Sequence, residues 1–217
     1  MARIGVLLSG CGVFDGSEIH EAVVTLLALD RAGAQIVCMA PNMEFDVVNH
    51  LTQKPSGEKR NVLVESARIA RGNIKDLKDV KAADLDGLIL PGGFGAAKNL
   101  SDFAVKGPDA TVHPEVQRIV NEILDAGKPL GAICIAPATV AKAAAARNPE
   151  VTIGTDAGTA KAIESMGATH KSCAVEMIHL DKSNKIVSTP AYMLGPGIKD
   201  VASGIEKLVD QVVKLAG

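Results

Sequence analysis

The sequence predicts a doubly wound α/β fold: a mostly parallel sheet with helices on both faces. Two observations carry this. Short apolar runs at residues 4–8, 88–90 and 130–133 are continuous rather than alternating, as strands buried on both faces require. Helical patterns alternate with such runs from end to end, the layout of a parallel sheet with crossover helices. No internal repeat or low-complexity linker interrupts the 217 residues, so the chain reads as one domain, 1–217.

In order, residues 4–8 form a strand that stops at Gly10 and reads as a first strand rather than a signal peptide. Ser17 is the expected N-cap of a helix carrying Ile19, Ala22, Val23, Leu26 and Leu27 at helical spacing and closed by Arg31-Ala32-Gly33. Residues 34–40 are the second strand, ended by Pro41. Residues 41–60 are polar and rich in turn formers, which predicts a long loop, and residues 62–64 read as a short strand. A turn or helix over 79–84 leads to a buried strand at 88–90 that ends abruptly at Pro91-Gly92-Gly93. An amphipathic helix follows at 115–125, then the strand ending at Cys134 and a helix over 137–147. Residues 151–153 read as a strand, 157–166 as a helix closed by Gly167, 174–181 and 185–189 as a hairpin, and 198–215 as the last helix.

Composition excludes several classes of function. Hydrophobic residues make up 47%, but aromatics only 2%, with one Tyr and no Trp. The core must be aliphatic, and stacking platforms for bases are absent. A net charge of −2 without a basic patch argues against nucleic acid. No apolar stretch reaches the length of a membrane-spanning helix. Four widely spaced cysteines, without C-x-x-C or zinc spacing, read as reduced thiols of a cytoplasmic protein and predict no metal.

In such sheets ligands lie at the carboxyl ends of the strands. Three loops meet that condition: 10–17, 91–99 and 134–138. In Leu130-Gly131-Ala132-Ile133-Cys134-Ile135-Ala136-Pro137, an apolar strand stops at a thiol flanked by small residues and followed by an alanine-rich helix. That is the layout of a nucleophile elbow. A helix N-terminus beside the thiol favours its ionised form. A small core cysteine is the plainer reading. Glu18 and Glu21 lie on one face of the first helix, where a carboxyl group can act as acid or base; the same residues also complement the helix dipole. The N–H groups of Gly92 and Gly93, with that of Ile135, can form an oxyanion hole. Cys11 is a second thiol at a strand end, able to pair with Cys134 or simply fill its loop. Gly10 and Gly12 match a dinucleotide fingerprint only in part, because no acidic residue ends the second strand, so no cofactor is expected. No histidine has an evident place as a base.

Leu90-Pro91-Gly92-Gly93, Asn99-Leu100-Ser101 and residues 132–137 resemble the PfpI superfamily, the class I glutamine amidotransferase-like proteins, whose fold is flavodoxin-like. Residues 5–21, 91–100 and Thr189-Pro190-Ala191-Tyr192-Met193 resemble more closely the ElbB-type proteins. The resemblance implies a glutathione-independent glyoxalase of weak activity that converts glyoxal to glycolate. It also implies a link to isoprenoid production and a homodimer. It assigns Cys134 as nucleophile, with a hydrogen-bonded Glu that matches Glu21 best and Glu18 second. Peptidase-like relatives carry a histidine directly after the cysteine or in a later loop; here those places hold Ile135 and Gly154-Thr155. This departure argues against a peptidase and for slow turnover. The other expectations are a cysteine-based redox sensor or regulatory protein and, with less support, a hydrolase or amidase.

Overall fold

Strand β1 (Arg3–Leu7) leads through the loop at 10–17 into helix α1 (Ile19–Arg31) and strand β2 (Gln35–Ala40). The computed structural model describes residues 1–217. A hairpin arm follows, β3 (Glu44–Asn49) with β4 (Lys54–Asn61), then helix α2 (Val62–Ile69) and the short β5 (Lys75–Asp76). Two 3-10 turns, Leu77–Asp79 and Ala82–Asp84, precede β6 (Gly87–Leu90). Helices α3 (Phe94–Lys98), α4 (Phe103–Lys106) and α5 (Pro114–Asp125) lead to β7 (Leu130–Ile133) and α6 (Ala136–Ala143). The chain ends with β8 (Glu150–Val151), α7 (Ala157–Ser165), β9 (Thr169–His170), the β10 (His179–Asp181) and β11 (Ile186–Thr189) hairpin, and α8 (Ile198–Ala216).

Seven strands form the central sheet in the order β10-β11-β7-β6-β1-β2-β5, with only β10 antiparallel. Successive strand residues feed opposite faces, as the two-residue period demands. Leu7, Met39, Leu88, Leu90, Leu130 and Ala132 pack with α5 and α6 on one face. Ile4, Val6, Leu8, Ile89, Ile133 and Val187 pack with α1 and α8 on the other. The fold is the expected doubly wound, flavodoxin-like α/β architecture. No helix is long and apolar enough to cross a membrane.

The structure corrects four expectations. Residues 44–61 are a paired hairpin rather than a loop. Residues 62–64 open helix α2, because the Asn61 side chain accepts the Val64 N–H at 3.1 Å and caps it. The strand expected at 151–153 is displaced to β8, Glu150–Val151, which pairs with β9 outside the large sheet. Glu18, not Ser17, caps α1: its carboxyl accepts the Glu21 N–H at 2.7 Å. The Ser17 hydroxyl instead accepts the N–H of Ser9 at 2.9 Å. Consequently α1 turns Glu21, Ala22, Thr25, Ala28 and Leu29 inward, leaving Ile19, Val23 and Leu27 exposed.

Candidate active site

Cys134 sits directly after β7, its N–H held by the carbonyl of Thr189 at 2.9 Å. Its φ is +62°, left-handed backbone for a residue with a side chain. Such a conformation costs about 1–3 kcal/mol and persists only where the surroundings enforce it. Its small neighbours Ala132 and Ala136 are fully buried. The expected elbow is therefore present, and α6 begins two residues beyond the sulfur.

The loops at the strand ends are locked to one another. Asn99 Nδ2 donates to the carbonyls of Ser9 and Asp15, each at 2.8 Å. Glu18 N–H donates to the Gly92 carbonyl at 2.9 Å, and Gly95 N–H to the Gly16 carbonyl at 2.9 Å. Gly93 has φ +93°, and a Cβ there would run into the backbone of Gly16 and Glu18.

Glu21 joins three strand ends at once. Its Oε2 accepts the Gly92 N–H at 2.9 Å, after β6. Its Oε1 accepts the Tyr192 N–H at 3.3 Å, after β11. The same carboxyl faces the sulfur of Cys134, after β7. Thr25 secures the helix beneath by donating its hydroxyl to the Glu21 carbonyl at 2.7 Å. Of the two acidic residues expected near the thiol, the structure brings Glu21 to it and commits Glu18 to capping the helix.

Burial, then the carboxyl of Glu18, pushes the Glu21 pKa up to about 8. Burial, then Glu21, pushes the Cys134 thiol well above its ordinary range; the N–H groups of Gly93 and Ile135 face the sulfur and oppose this only in part. The ionised resting thiol expected from the sequence is thus overturned. Desolvation of Cys134, a residue only 7% exposed, outweighs the helix N-terminus. The oxyanion hole is corrected at one position. The Gly92 N–H is held by Glu21, leaving Gly93 and Ile135 as the donors that face the reacting atom.

A cavity of about 410 Å³ opens over the sulfur, lined by Gly93, Phe94, Cys134, Ile135, Thr159, Tyr192 and Met193. Its size and mostly apolar lining suit a small molecule. Cys11 lines a different cavity, beneath the hairpin arm with Asp15, His50 and Glu65, and is a free thiol. Tyr192, Thr159 and Met193 received no role in the sequence reading. The structure adds them: β11 runs parallel to β7, so the loop after Thr189 is a fourth loop at the carboxyl ends of the sheet, a direction that a hairpin read from sequence does not fix.

Gly92 tests how tightly this corner is packed. An alanine Cβ there would stand 2.5 Å from Cys134 Cβ and 2.6 Å from Glu21 Oε2. Gly92→Ala is expected to cost about 1–3 kcal/mol of stability, read as a lowered Tm in calorimetry. An unchanged Tm would mean that the corner has slack.

A strained cysteine elbow, a buried carboxyl and a small cavity at the carboxyl edge of a doubly wound sheet point to one class of protein. A model of the DJ-1/PfpI family matches residues 11–175, and the chain belongs to that family. It is similar to the human protein named glutamine amidotransferase-like class 1 domain-containing protein 3, mitochondrial. The two are 48% identical over 229 residues, covering 100% of this chain and 84% of the relative. It is also similar to the rat ES1 protein homolog, mitochondrial, at 46% identity over 227 residues, covering 100% and 85%. The crystal structure of an isoprenoid biosynthesis protein with an amidotransferase-like domain from Ehrlichia chaffeensis superposes with a TM-score of 0.94, at 38% identity, over 100% of both chains.

Proposed function

We propose that the chain is a slow, glutathione-independent glyoxalase of the ElbB type, converting glyoxal or a related small α-oxoaldehyde to a 2-hydroxy acid such as glycolate. One observation carries the reading: the Cys134 sulfur, held at φ +62° under a small cavity, faces a buried carboxyl that holds or releases a proton near pH 8. That pairing suits a reaction made of proton shifts around one covalent bond.

In the fraction with Glu21 ionised, the thiol proton passes to the carboxylate while sulfur attacks one aldehyde carbon. The carboxyl then hands that proton to the new oxyanion, giving a hemithioacetal. The N–H groups of Gly93 and Ile135 already face the sulfur, two bonds away from this oxygen across the attacked carbon, and follow the charge as it moves. Glu21 next takes the hydrogen of the sulfur-bearing carbon and delivers it to the neighbouring carbon. Once the hydroxyl proton has moved to the second oxygen, a thioester of the 2-hydroxy acid remains on Cys134. Water cleaves it to the free acid and the thiol. The aldehyde carbons exchange oxidation states internally, so no cofactor is required.

Cytoplasmic location and a homodimer belong to the same reading. The four free cysteines support a reducing compartment, while the human and rat relatives are named mitochondrial. The isoprenoid link draws support from the name of the Ehrlichia protein. The redox-sensing alternative has less support, because a buried thiol with a raised pKa offers little thiolate to peroxide.

Acid quenching during glyoxal turnover, followed by intact-mass analysis, is expected to find a glycolyl adduct on Cys134. Cys134→Ala is expected to lose both the adduct and glyoxal consumption. Consumption at the wild-type rate in that variant would refute the reading.

A further inference from the structure

Two protons must move to turn the hemithioacetal into the thioester. One travels from carbon to carbon, and the Glu21 carboxyl is placed for it. The other travels from the hydroxyl of the sulfur-bearing carbon to the neighbouring aldehyde oxygen. While it holds the carbon-bound hydrogen the Glu21 carboxyl is already protonated and does not also take the hydroxyl proton, and the backbone N–H groups of Gly93 and Ile135 only donate hydrogen bonds.

Tyr192 lines the same cavity as Cys134 and Ile135. Its backbone N–H is fixed by Glu21 Oε1 at 3.3 Å, and its hydroxyl lies 2.8 Å from His20 Nδ1. The two rings are tilted at 48°, with centroids 5.8 Å apart. His20 belongs to the first turn of α1, and its side chain is 48% exposed, so the ring has solvent on one side and the phenol on the other. The ionisable groups facing this pair are Glu18, whose Oε1 lies 3.8 Å from Nδ1, then Glu21, and Cys134 in the shared cavity.

We propose that Tyr192 and His20 form a proton-carrying pair that moves the hydroxyl proton of the bound hemithioacetal from one substrate oxygen to the other. The proposal rests on the glyoxalase reading and completes it. With the imidazole proton on Nε2, Nδ1 accepts the phenol O–H. As the substrate hydroxyl gives its proton to the Tyr192 oxygen, the phenol proton moves to Nδ1. The imidazolium so formed has the Glu18 carboxyl beside it. The return transfer, from Nδ1 to the phenol oxygen and from the phenol to the second substrate oxygen, restores both side chains. No proton, electron pair or co-reactant is left over. Burial, with Glu18 and Glu21 nearby, raises the phenol pKa, so Tyr192 starts each cycle protonated. The pair also explains how a chain without histidine next to its nucleophile can perform the shift: the imidazole comes from the first helix and acts through a phenol.

The variants Tyr192→Phe and His20→Asn test it. Phenylalanine keeps the ring; asparagine keeps a hydrogen-bonding atom near Nδ1 but takes no proton. Each is expected to lower kcat for glyoxal by about 10²-fold with KM nearly unchanged. The double variant should be no slower than the worse single one, since both break one path. Alkylation of Cys134 by iodoacetamide should stay near the wild-type rate, which separates proton carriage from damage to the elbow. A second readout needs no substrate. Tyr192 is the only tyrosine and there is no tryptophan, so ultraviolet emission reports this phenol alone. Wild-type emission should change with pH as proton gain by the imidazole breaks the hydrogen bond to the phenol, and the change should vanish in His20→Asn.

Either variant keeping wild-type kcat overturns the pair while leaving the glyoxalase reading intact. A flat wild-type emission titration overturns it as well. Glyoxal consumption surviving in Cys134→Ala sinks the thioester route instead, and the emission titration then decides for or against the Tyr192–His20 coupling.

Discussion

Glu21→Gln is expected to push the two functions of Cys134 in opposite directions. Glyoxal turnover should fall by about 10²–10⁴-fold, the loss typical of removing a positioned acid–base group. Alkylation of Cys134 by iodoacetamide at pH 7–8 should rise by roughly threefold or more, because the thiolate is the reacting form. The reason lies in what Glu21 does to the sulfur. After burial, its charge and its hydrogen bond are the leading causes that hold the thiol pKa up. Glutamine keeps the shape, keeps an acceptor oxygen for one of the two N–H groups, that of Gly92 or that of Tyr192, and removes the charge. The sulfur becomes easier to ionise while the substrate proton loses its carrier. The wild-type pH–rate profile should rise towards about pH 8 as the carboxyl ionises, and the variant should lack that limb. A variant that alkylates more slowly, or that turns over normally, would show that the carboxyl does not govern this thiol.

The architecture was legible because its strands are buried on both faces. Leu88-Ile89-Leu90 and residues 130–133 have no polar side and admit little but a central parallel strand. The hairpin arm escaped for the opposite reason. Every residue from Lys54 to Arg60 is exposed, so β4 shows no apolar period and reads as loop. The Val-Leu-Val run after it reads as a strand by β-branched propensity, and the Asn61 cap overrides that preference. At the site, Cys134 was legible from its small neighbours, since the elbow's crowding is written locally. The choice between Glu18 and Glu21 was not, because they stand three residues apart at the start of one helix and only the tertiary contacts of Gly92 and Tyr192 separate a cap from a buried acid. The ionisation of the thiol was read with the wrong sign. A helix N-terminus can be inferred from sequence, but the depth of burial that outweighs it depends on the whole fold. Tyr192 and His20 stand 172 positions apart, beyond the reach of any local pattern.

A carboxyl held in this way must also leave its mark on folding. In the folded protein Glu21 releases its proton near pH 8, against an ordinary value of 4.5. Between those values the native chain keeps a proton that the unfolded chain has lost. Stability must therefore fall as pH rises through that window, and the total linked to this one group is about 5 kcal/mol. That is a large fraction of what a domain of this size has in reserve. Urea unfolding of the wild type and of Glu21→Gln at pH 5 and pH 9 reads the effect directly. Other titrating groups are common to both proteins, and the Cys134 thiol loses its proton above the window. The two should be nearly equal in stability at pH 5. At pH 9 the glutamine variant should be the more stable by several kcal/mol, and a gap that does not widen with pH would refute the buried, proton-holding carboxyl. The expected outcome joins the two halves of the site's physics. The burial that makes Glu21 a usable proton carrier near neutral pH also makes it a destabilising residue there, so a variant that folds more firmly above neutral pH is also the one that cannot move the substrate's proton.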